Sequence, residues 1–284
     1  MKINYKDISI ILVSYKSNFR IENILKKLNQ EIEIIIIENS KNFMIKNYFE
    51  NKYKNITVIV SKKNIGQTGG INLGFKNVKT KYCIYMDMDV DFEINLIDKF
   101  YEIAEKINDF CLIVPPHNKS NYPKKYELKH DLPQFSNLQK MKIVHGYFMF
   151  FKMSAVKDVG YYDENIFFYY DETDYCLRIN EKNHKIYIFK DAIVKHLEGK
   201  SYDEFTQNII EPIRQWHYMW GKYYFHKKHF GIIDAYLQTL PNFLECLIKI
   251  PILFFINKDN CKNYYYRLLG LINAYAGNSS WKRI

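Results

Sequence analysis

Short runs of apolar, β-branched residues punctuate the first part of the chain and alternate with stretches of helical spacing. Residues 8–13 (ISIILV), 33–37 (EIIII), 56–60 (ITVIV) and 82–86 (YCIYM) are such runs, each with the length and composition of a strand buried on both faces. Residues 20–29 read as a helix between the first two, and the glycine-containing stretch 64–74 leads into a helix through residue 78. Buried strands that alternate with helices predict an α/β fold with a mainly parallel sheet. Further on, the pattern predicts a helix over 94–107, a strand near 111–114 stopped by Pro115 and Pro116, and a polar surface loop over 117–139. A strand over 143–152, a helix over 171–183 and a last alternating strand over 186–194, just before His196, complete this part.

From residue 205 the pattern changes to long, aromatic, helix-compatible stretches at 208–226, 231–240 and 243–256. The chain therefore divides, as an expectation, into an α/β domain of residues 1–204 and a helical extension of residues 205–284. The longest apolar run in the extension, residues 250–256, is far short of the ~20 residues that cross a bilayer, and Glu245, Lys249 and Pro251 interrupt 243–256 further. A buried helix or one lying on a membrane surface is expected there, rather than a spanning one.

Composition narrows the function. With 284 residues, 48% hydrophobic and 17% aromatic, the chain can bury a sizeable core, which excludes a disordered segment, a peptide hormone and a disulfide miniprotein. Its five cysteines contain no C-x-x-C pair, and with no secretion signal in the polar first residues they point to a reducing, cytoplasmic setting. The net charge is +10, but 36 of the 41 basic residues are lysine, whereas proteins that read nucleic-acid grooves lean on arginine; no nucleic-acid partner is expected. Residues 205–284 hold 10 basic and 4 acidic residues, a net +6 of that total.

Three local clusters carry chemistry. Asp87, Asp89 and Asp91 follow a buried strand directly, and on an extended backbone positions i and i+2 share a side, so Asp87 and Asp89 can converge on one divalent cation. Open α/β sheets bind ligands beyond the carboxyl ends of their strands; the plainer alternative is that these acids end a strand and cap the next helix. The glycines of residues 64–74 permit close backbone approach to a ligand, without matching a phosphate-loop pattern. Asp171, Glu172 and Asp174 follow the aromatic run Phe167–Tyr170 and open a helix, where Asp171 could serve as a cap and Asp174 could reach Arg178. An acid flanked by rings is also partly desolvated and so a stronger base toward a hydroxyl. Finally His196 stands just beyond an apolar strand, as a structural residue or as a neutral imidazole ligand.

Taken together, Val13-Ser14-Tyr15, Glu38-Asn39-Ser40, Asn64-x-Gly66 with Gly69-Gly70, Asp87-x-Asp89, Gly146, Val159-Gly160-Tyr161-Tyr162-Asp163-Glu164, the acids from Asp171 to Asp174 with Leu177-Arg178, and His196 with Ser201 occur in this order. In that order the sequence resembles the inverting glycosyltransferases of family 2, which have the GT-A fold, and in particular the bacterial rhamnosyltransferase-like branch that builds surface polysaccharide such as capsule and lipopolysaccharide O-antigen. The resemblance covers residues 8–201. It implies a nucleotide-sugar donor, with a UDP- or dTDP-sugar as the expected form, a Mn²⁺ or Mg²⁺ ion, and a glycan or lipid-linked glycan as acceptor. By the same resemblance Tyr15, Glu38, Asn64, Gly69 and Gly70 would line the nucleotide pocket. Asp87 would lie near ribose and metal, and Asp89 and His196 would be metal ligands. Glu172 or Asp171 would be the base, with Asp174 helping to orient the acceptor. Glu38 stands where the family usually has Asp, and Asp171-Glu172 where it has Glu-Asp; Glu172, reaching one methylene further, is the preferred base. Tyr170 and Trp216 are further candidates for acceptor contact. Trp216, Trp220, Lys227 and Lys228 are expected either to hold the protein peripherally at the inner membrane face or to belong to an ordinary helical subdomain.

Two other classes compete. A nucleotidyltransferase would want a basic, glycine-rich loop near the N-terminus, and residues 8–20 contain no glycine. A non-catalytic glycan- or polyanion-binding protein would gain nothing from acidic clusters.

Overall fold

The computed structural model describes residues 3–117, 124–129, 135–197 and 204–282. Ser201, expected beside His196, and parts of the loop expected over 117–139 lie outside these. The chain divides into two compact units, Met1–Tyr162 with Tyr175–Ser201, and Asp163–Asp174 with Tyr202–Ile284.

In chain order the elements up to the helical tail are β1 (Ile8–Ser14), α1 (Ile21–Leu25), β2 (Glu33–Glu38), α2 (Phe43–Lys52), β3 (Ile56–Val60), α3 (Gly66–Asn77), β4 (Tyr82–Met86), β5 (Val90–Phe92), α4 (Leu96–Ala104), β6 (Phe110–Val114), β7 (Leu138–Met141), β8 (Phe148–Lys152), α5 (Met153–Val159), α6 (Asp171–Glu181), β9 (Lys185–Phe189) and β10 (Val194–His196). All of them belong to the first unit except the first turn of α6. Eight strands form one sheet in the order β3-β2-β1-β4-β8-β6-β9-β7, and β5 pairs with β10 in a small second sheet. Strands β1 to β4 are mutually parallel, β8 runs against β4 and β6, and β7 runs against β9.

The unbroken apolar runs have the cause read from the sequence: both sheet faces are covered. Ile8, Ile10 and Leu12 of β1 pack into one core with Phe100 of α4, while Ile11 joins Ile35, Ile71 and Phe75 on the other side. Helix α3 lies so close to β1 that a Cβ on Gly70 would come 2.7 Å from Val13, and one on Gly74 2.7 Å from Ile11.

Several expectations need correction. The glycine-containing stretch 64–74, expected to lead into a helix, already forms it: the helix begins at Gly66. The strand expected over 186–194 is two strands, β9 and β10, with His196 inside the second. Helix α2 was not anticipated, although Asn42 caps it by accepting the Met44 N–H at 3.1 Å; nor were α5, β5 and β7. Three-residue β5 is too short to show a period of two.

The second unit is built on α7 (Glu204–Phe230), α8 (Ile232–Ile256) and α9 (Lys258–Tyr275). Its core gathers Trp216, Trp220, Tyr223, Ala235 and Ala274. A Cβ on Gly270 would sit 2.4 Å from the carbonyl oxygen of Trp216, so α9 meets the α7 backbone directly. The two helices expected over 231–256 are one, with Pro241 and Pro251 inside it. A proline deletes one backbone hydrogen bond, and the apolar sequence on either side continues the helix past it. Helix α9 was not foreseen.

Candidate active and metal site

Within the first unit, the carboxyl end of β4 delivers Asp87 and Asp89, and the β5–β10 pair delivers His196. Val90 pairs with His196 in that ladder, and the Leu197 N–H donates to the Asp89 carbonyl at 2.9 Å. The result is a cluster in which one ligand atom from each of Asp87, Asp89 and His196 lies within 4.8 Å of the others. His196 Nε2 is 3.1 Å from Asp89 Oδ1 and 3.6 Å from Asp87 Oδ2. The Asp89 side chain is only 2% exposed, so two carboxylates, one of them buried, face a single imidazole. Two carboxylates with one imidazole suit a divalent cation.

Two tyrosines that the sequence reading missed support this cluster. Tyr85 donates to Asp87 Oδ1 at 2.5 Å, and being two residues earlier on the same strand it shared the side on which Asp87 was expected. Tyr147 stacks on the His196 ring at 4.9 Å and 9°, and its hydroxyl donates to the Pro116 carbonyl at 2.6 Å. A ring orientation fixed in this way aims Nε2 at the carboxylates, a positioning common around metal ligands.

The residues expected to bind a nucleotide lie at the same edge of the sheet, because β1, β2 and β4 are neighbours running in parallel. Tyr15 follows β1, and Glu38 ends β2 opposite Ser14. Glu38 is fully buried. Its Oε1 accepts from the Ser40 N–H at 2.7 Å and from the Ser40 hydroxyl, while Oε2 is buried with no hydrogen-bond partner among the described residues. Asn64 accepts from the Gly66 N–H at 2.9 Å, which shapes the entry to α3. Gly69 and Gly70 are both buried inside α3, where Gly70 is explained by its approach to β1 rather than by a ligand.

Asp171, Glu172 and Asp174 stand at the start of α6 and belong to the second unit. Asp171 is buried and Glu172 half-buried. They follow Tyr169 and Tyr170, both in the left-handed region at φ +63° and +68°; for non-glycine residues that conformation costs roughly 1–2 kcal/mol each, and such strain gathers at functional sites. The Arg214 Nε–H donates to the Tyr169 hydroxyl at 2.9 Å. Asp174 is wholly buried, with Lys228 Nζ at 2.5 Å and His229 Nε2 at 2.9 Å. Lys228 also donates to Asp163 at 2.7 Å, as does the Tyr224 hydroxyl at 3.0 Å. Burial pushes Asp163 up, yet Lys228, the Asn165 N–H and Tyr224 together hold it below the ordinary carboxylate range. Lys228, His229 and Tyr224, more than fifty positions away in sequence, gave no local signal.

Trp216 is 1% exposed and Trp220 3%. Both rings belong to the core of the helical unit, the ordinary-subdomain alternative for them, and Trp220 also borders a cavity of that unit. The cavity, of about 480 Å³, is bordered as well by Asn165, Tyr223, Tyr224, Lys227, Lys228 and others.

Comparison with known proteins gives the family and the fold. The family described as Glycosyl transferase family 2 matches residues 9–160, more than half of the chain. The low-salt glycan biosynthesis hexosyltransferase Agl10 of Haloferax volcanii is 27% identical over 195 residues, which are 62% of this chain and 62% of that protein. Among solved structures, the mannosyltransferase PcManGT from Pyrobaculum calidifontis, in complex with GDP-Man and Mn²⁺, superposes with a TM-score of 0.56 at 9% identity over 95% of this chain and 87% of its own. GalNAc-T7 with UDP, GalNAc and Mn²⁺ superposes with a TM-score of 0.54 at 14% identity over 73% of this chain and 50% of its own. The chain thus spans less than two thirds of Agl10 and half of GalNAc-T7. These likenesses show the GT-A fold.

Proposed function

Since the chain belongs to glycosyl transferase family 2, we propose that it is a metal-dependent, inverting glycosyltransferase that moves a sugar from a nucleoside-diphosphate donor to a hydroxyl of a glycan or lipid-linked glycan in bacterial surface-polysaccharide synthesis. The observation that carries the reading is the convergence of Asp87, Asp89 and His196 at the carboxyl edge of the sheet. The orphaned Oε2 of Glu38 at the same edge supports it, because a buried acceptor without a partner is satisfied by a ligand N–H, such as that of a nucleobase. Tyr15 and Asn64 complete the base side of this pocket.

A divalent ion held by Asp87, Asp89 and His196 would stabilise charge developing on the leaving diphosphate. The imidazole ligand favours Mn²⁺ over Mg²⁺, which takes oxygen ligands almost exclusively. That PcManGT and GalNAc-T7 were solved with Mn²⁺ points the same way. In the transfer, Glu172 takes the proton of the acceptor hydroxyl while the oxygen attacks the anomeric carbon. The bond from that carbon to the diphosphate breaks, the diphosphate leaves with the electron pair, and configuration inverts. Buried Asp171 and Asp174 hold the first turn of α6, and Tyr170 lies directly before it. The cavity beside Tyr224, with its aromatic and amide lining, has room for a sugar of the acceptor. The protein works in the cytoplasm, at the membrane that carries a lipid-linked acceptor.

The test is a panel of UDP-, dTDP- and GDP-sugars with and without Mn²⁺ or Mg²⁺, read by thermal shift and by release of free nucleotide. One nucleotide series stabilises the protein only with metal; the absence of metal-dependent stabilisation across all three overturns the reading.

A further inference from the structure

Helix α8 has two unlike sides. Ala235, Thr239 and Cys246 are buried within its own unit, and on a helix these positions share one narrow face. On the opposite face Ile233, Leu237, Leu240, Leu244, Ile248 and Phe255 are 46–86% exposed. They form a stripe about 33 Å long at ~1.5 Å per residue, without one charged side chain. The stripe ends at Phe254, Phe255 and Ile256, the last two 86% and 75% exposed, after which Lys258 and Lys262 open α9 as exposed residues. Exposed apolar surface of this extent marks a contact with something apolar.

By length and composition α8 could cross a membrane, but Glu245 and Lys249, paired at 2.6 Å, sit near its middle, where a bilayer is least tolerant of charge. A second copy of the chain would bring another +10 toward the first, whereas the net +6 of residues 205–284 complements an anionic surface. We propose that the outer face of α8 and its junction with α9 lie in the headgroup layer of a bilayer carrying anionic lipids, with Ile248, Phe254 and Phe255 inserted and Lys258 and Lys262 on the phosphates. This places the anchor on α8, not on the buried tryptophans. It rests on the reading of a lipid-linked acceptor, for which it names the surface that holds the enzyme.

The full chain is sedimented with vesicles of phosphatidylcholine alone and of equal parts phosphatidylcholine and phosphatidylglycerol. Binding is strong to the anionic vesicles and weak to the neutral ones. Ile248→Glu with Phe255→Glu lowers it about tenfold or more, and Lys258→Gln with Lys262→Gln lowers it about fivefold per lysine on the anionic vesicles only. Both exposed pairs leave metal-dependent nucleotide binding, read by thermal shift, unchanged. Equal binding by the Glu variant, or no binding to either vesicle, overturns the proposal. So does a lipid-free dimer, seen by light scattering, that the Glu variant converts to monomer. Vesicle binding without nucleotide binding would leave the anchor standing and remove the transferase reading; the reverse would do the opposite.

Discussion

Two pairs of carboxylates in this protein, each with one member buried and one partly exposed, stand in different electrostatic circumstances. Asp87 and Asp89, in the α/β unit, share a single imidazole. Asp163 and Asp174, in the helical unit, are supplied by the chain itself with Lys228 and His229. In the first set two carboxylates face one imidazole, which is charged only when protonated; in the second, Lys228 and His229 face the carboxylates. Acidic residues at the end of a strand and at the start of a helix look alike in sequence, yet the first pair gathers with a histidine into ligand atoms close enough to hold a cation, while the second is paired with Lys228 and His229. The comparison assigns binding to one cluster and support to the other, and each assignment can be broken separately.

The largest effects concern transfer. Glu172→Gln keeps the shape of the first turn of α6 but removes the base, and transfer falls about 10²–10⁴-fold while metal-dependent nucleotide binding by thermal shift stays as it was; a larger loss with Asp171→Asn would move the base there. Asp89→Ala removes a ligand and lowers transfer by at least about a hundredfold, and it abolishes the stabilisation by nucleotide with Mn²⁺. Chelation of the wild type by EDTA produces the same loss, reversed by Mn²⁺.

What could be read in the sequence followed the range of the interaction. The spacing of Asp87 and Asp89 after a buried strand is local, so their convergence was legible, as were β1 to β4, whose continuous apolar runs reflect a sheet covered on both faces. The pairing of His196 with Val90 joins strands of three residues more than a hundred positions apart, and no periodicity announces that. Asp174 shows the same limit: Arg178, four residues on, was the partner that spacing could suggest, whereas Lys228 and His229 from α7 come from more than fifty positions away. Trp216 and Trp220 left two readings open because aromatic residues in a basic tail look the same whether they face lipid or their own core. The continuity of α8 was hidden by Pro241 and Pro251, which read as breaks.

The next prediction turns the comparison into a difference of sign. Asp174→Asn leaves the nearly buried His229 facing a neutral amide and Lys228, which is 29% exposed, with Asp163 as its remaining carboxylate, and it destabilises the protein by about 1–3 kcal/mol, measured as a shift in the urea midpoint at constant slope. Asp89→Asn removes one of two negative charges that share one histidine, so without metal its urea midpoint does not fall. A loss of stability in both variants would erase the distinction between the clusters.

The smallest effect is on pH dependence and concerns Asp163. Its carboxyl is held below its ordinary range in spite of burial, through Lys228, the Asn165 N–H and Tyr224. A carboxylate whose folded pKa is depressed contributes stability that is fully present above its unfolded value, near 4. That contribution is lost as pH falls through the lower folded value. The wild-type urea midpoint therefore falls as pH is lowered below about 4, and part of that slope belongs to Asp163. Asp163→Asn lowers the midpoint at neutral pH, because Lys228 loses one of its two carboxylates, and it flattens the acid limb, because the group that would have taken up the proton is gone. Tyr224 gives an independent readout. Burial and then Asp163 push its phenol up to about 12, so its ionisation, followed by ultraviolet absorbance, moves to lower pH in the Asp163→Asn variant. An unchanged acid limb together with an unchanged tyrosine titration would mean that Lys228 is committed to Asp174 alone, and the satisfied cluster would then consist of Asp174, Lys228 and His229 without Asp163.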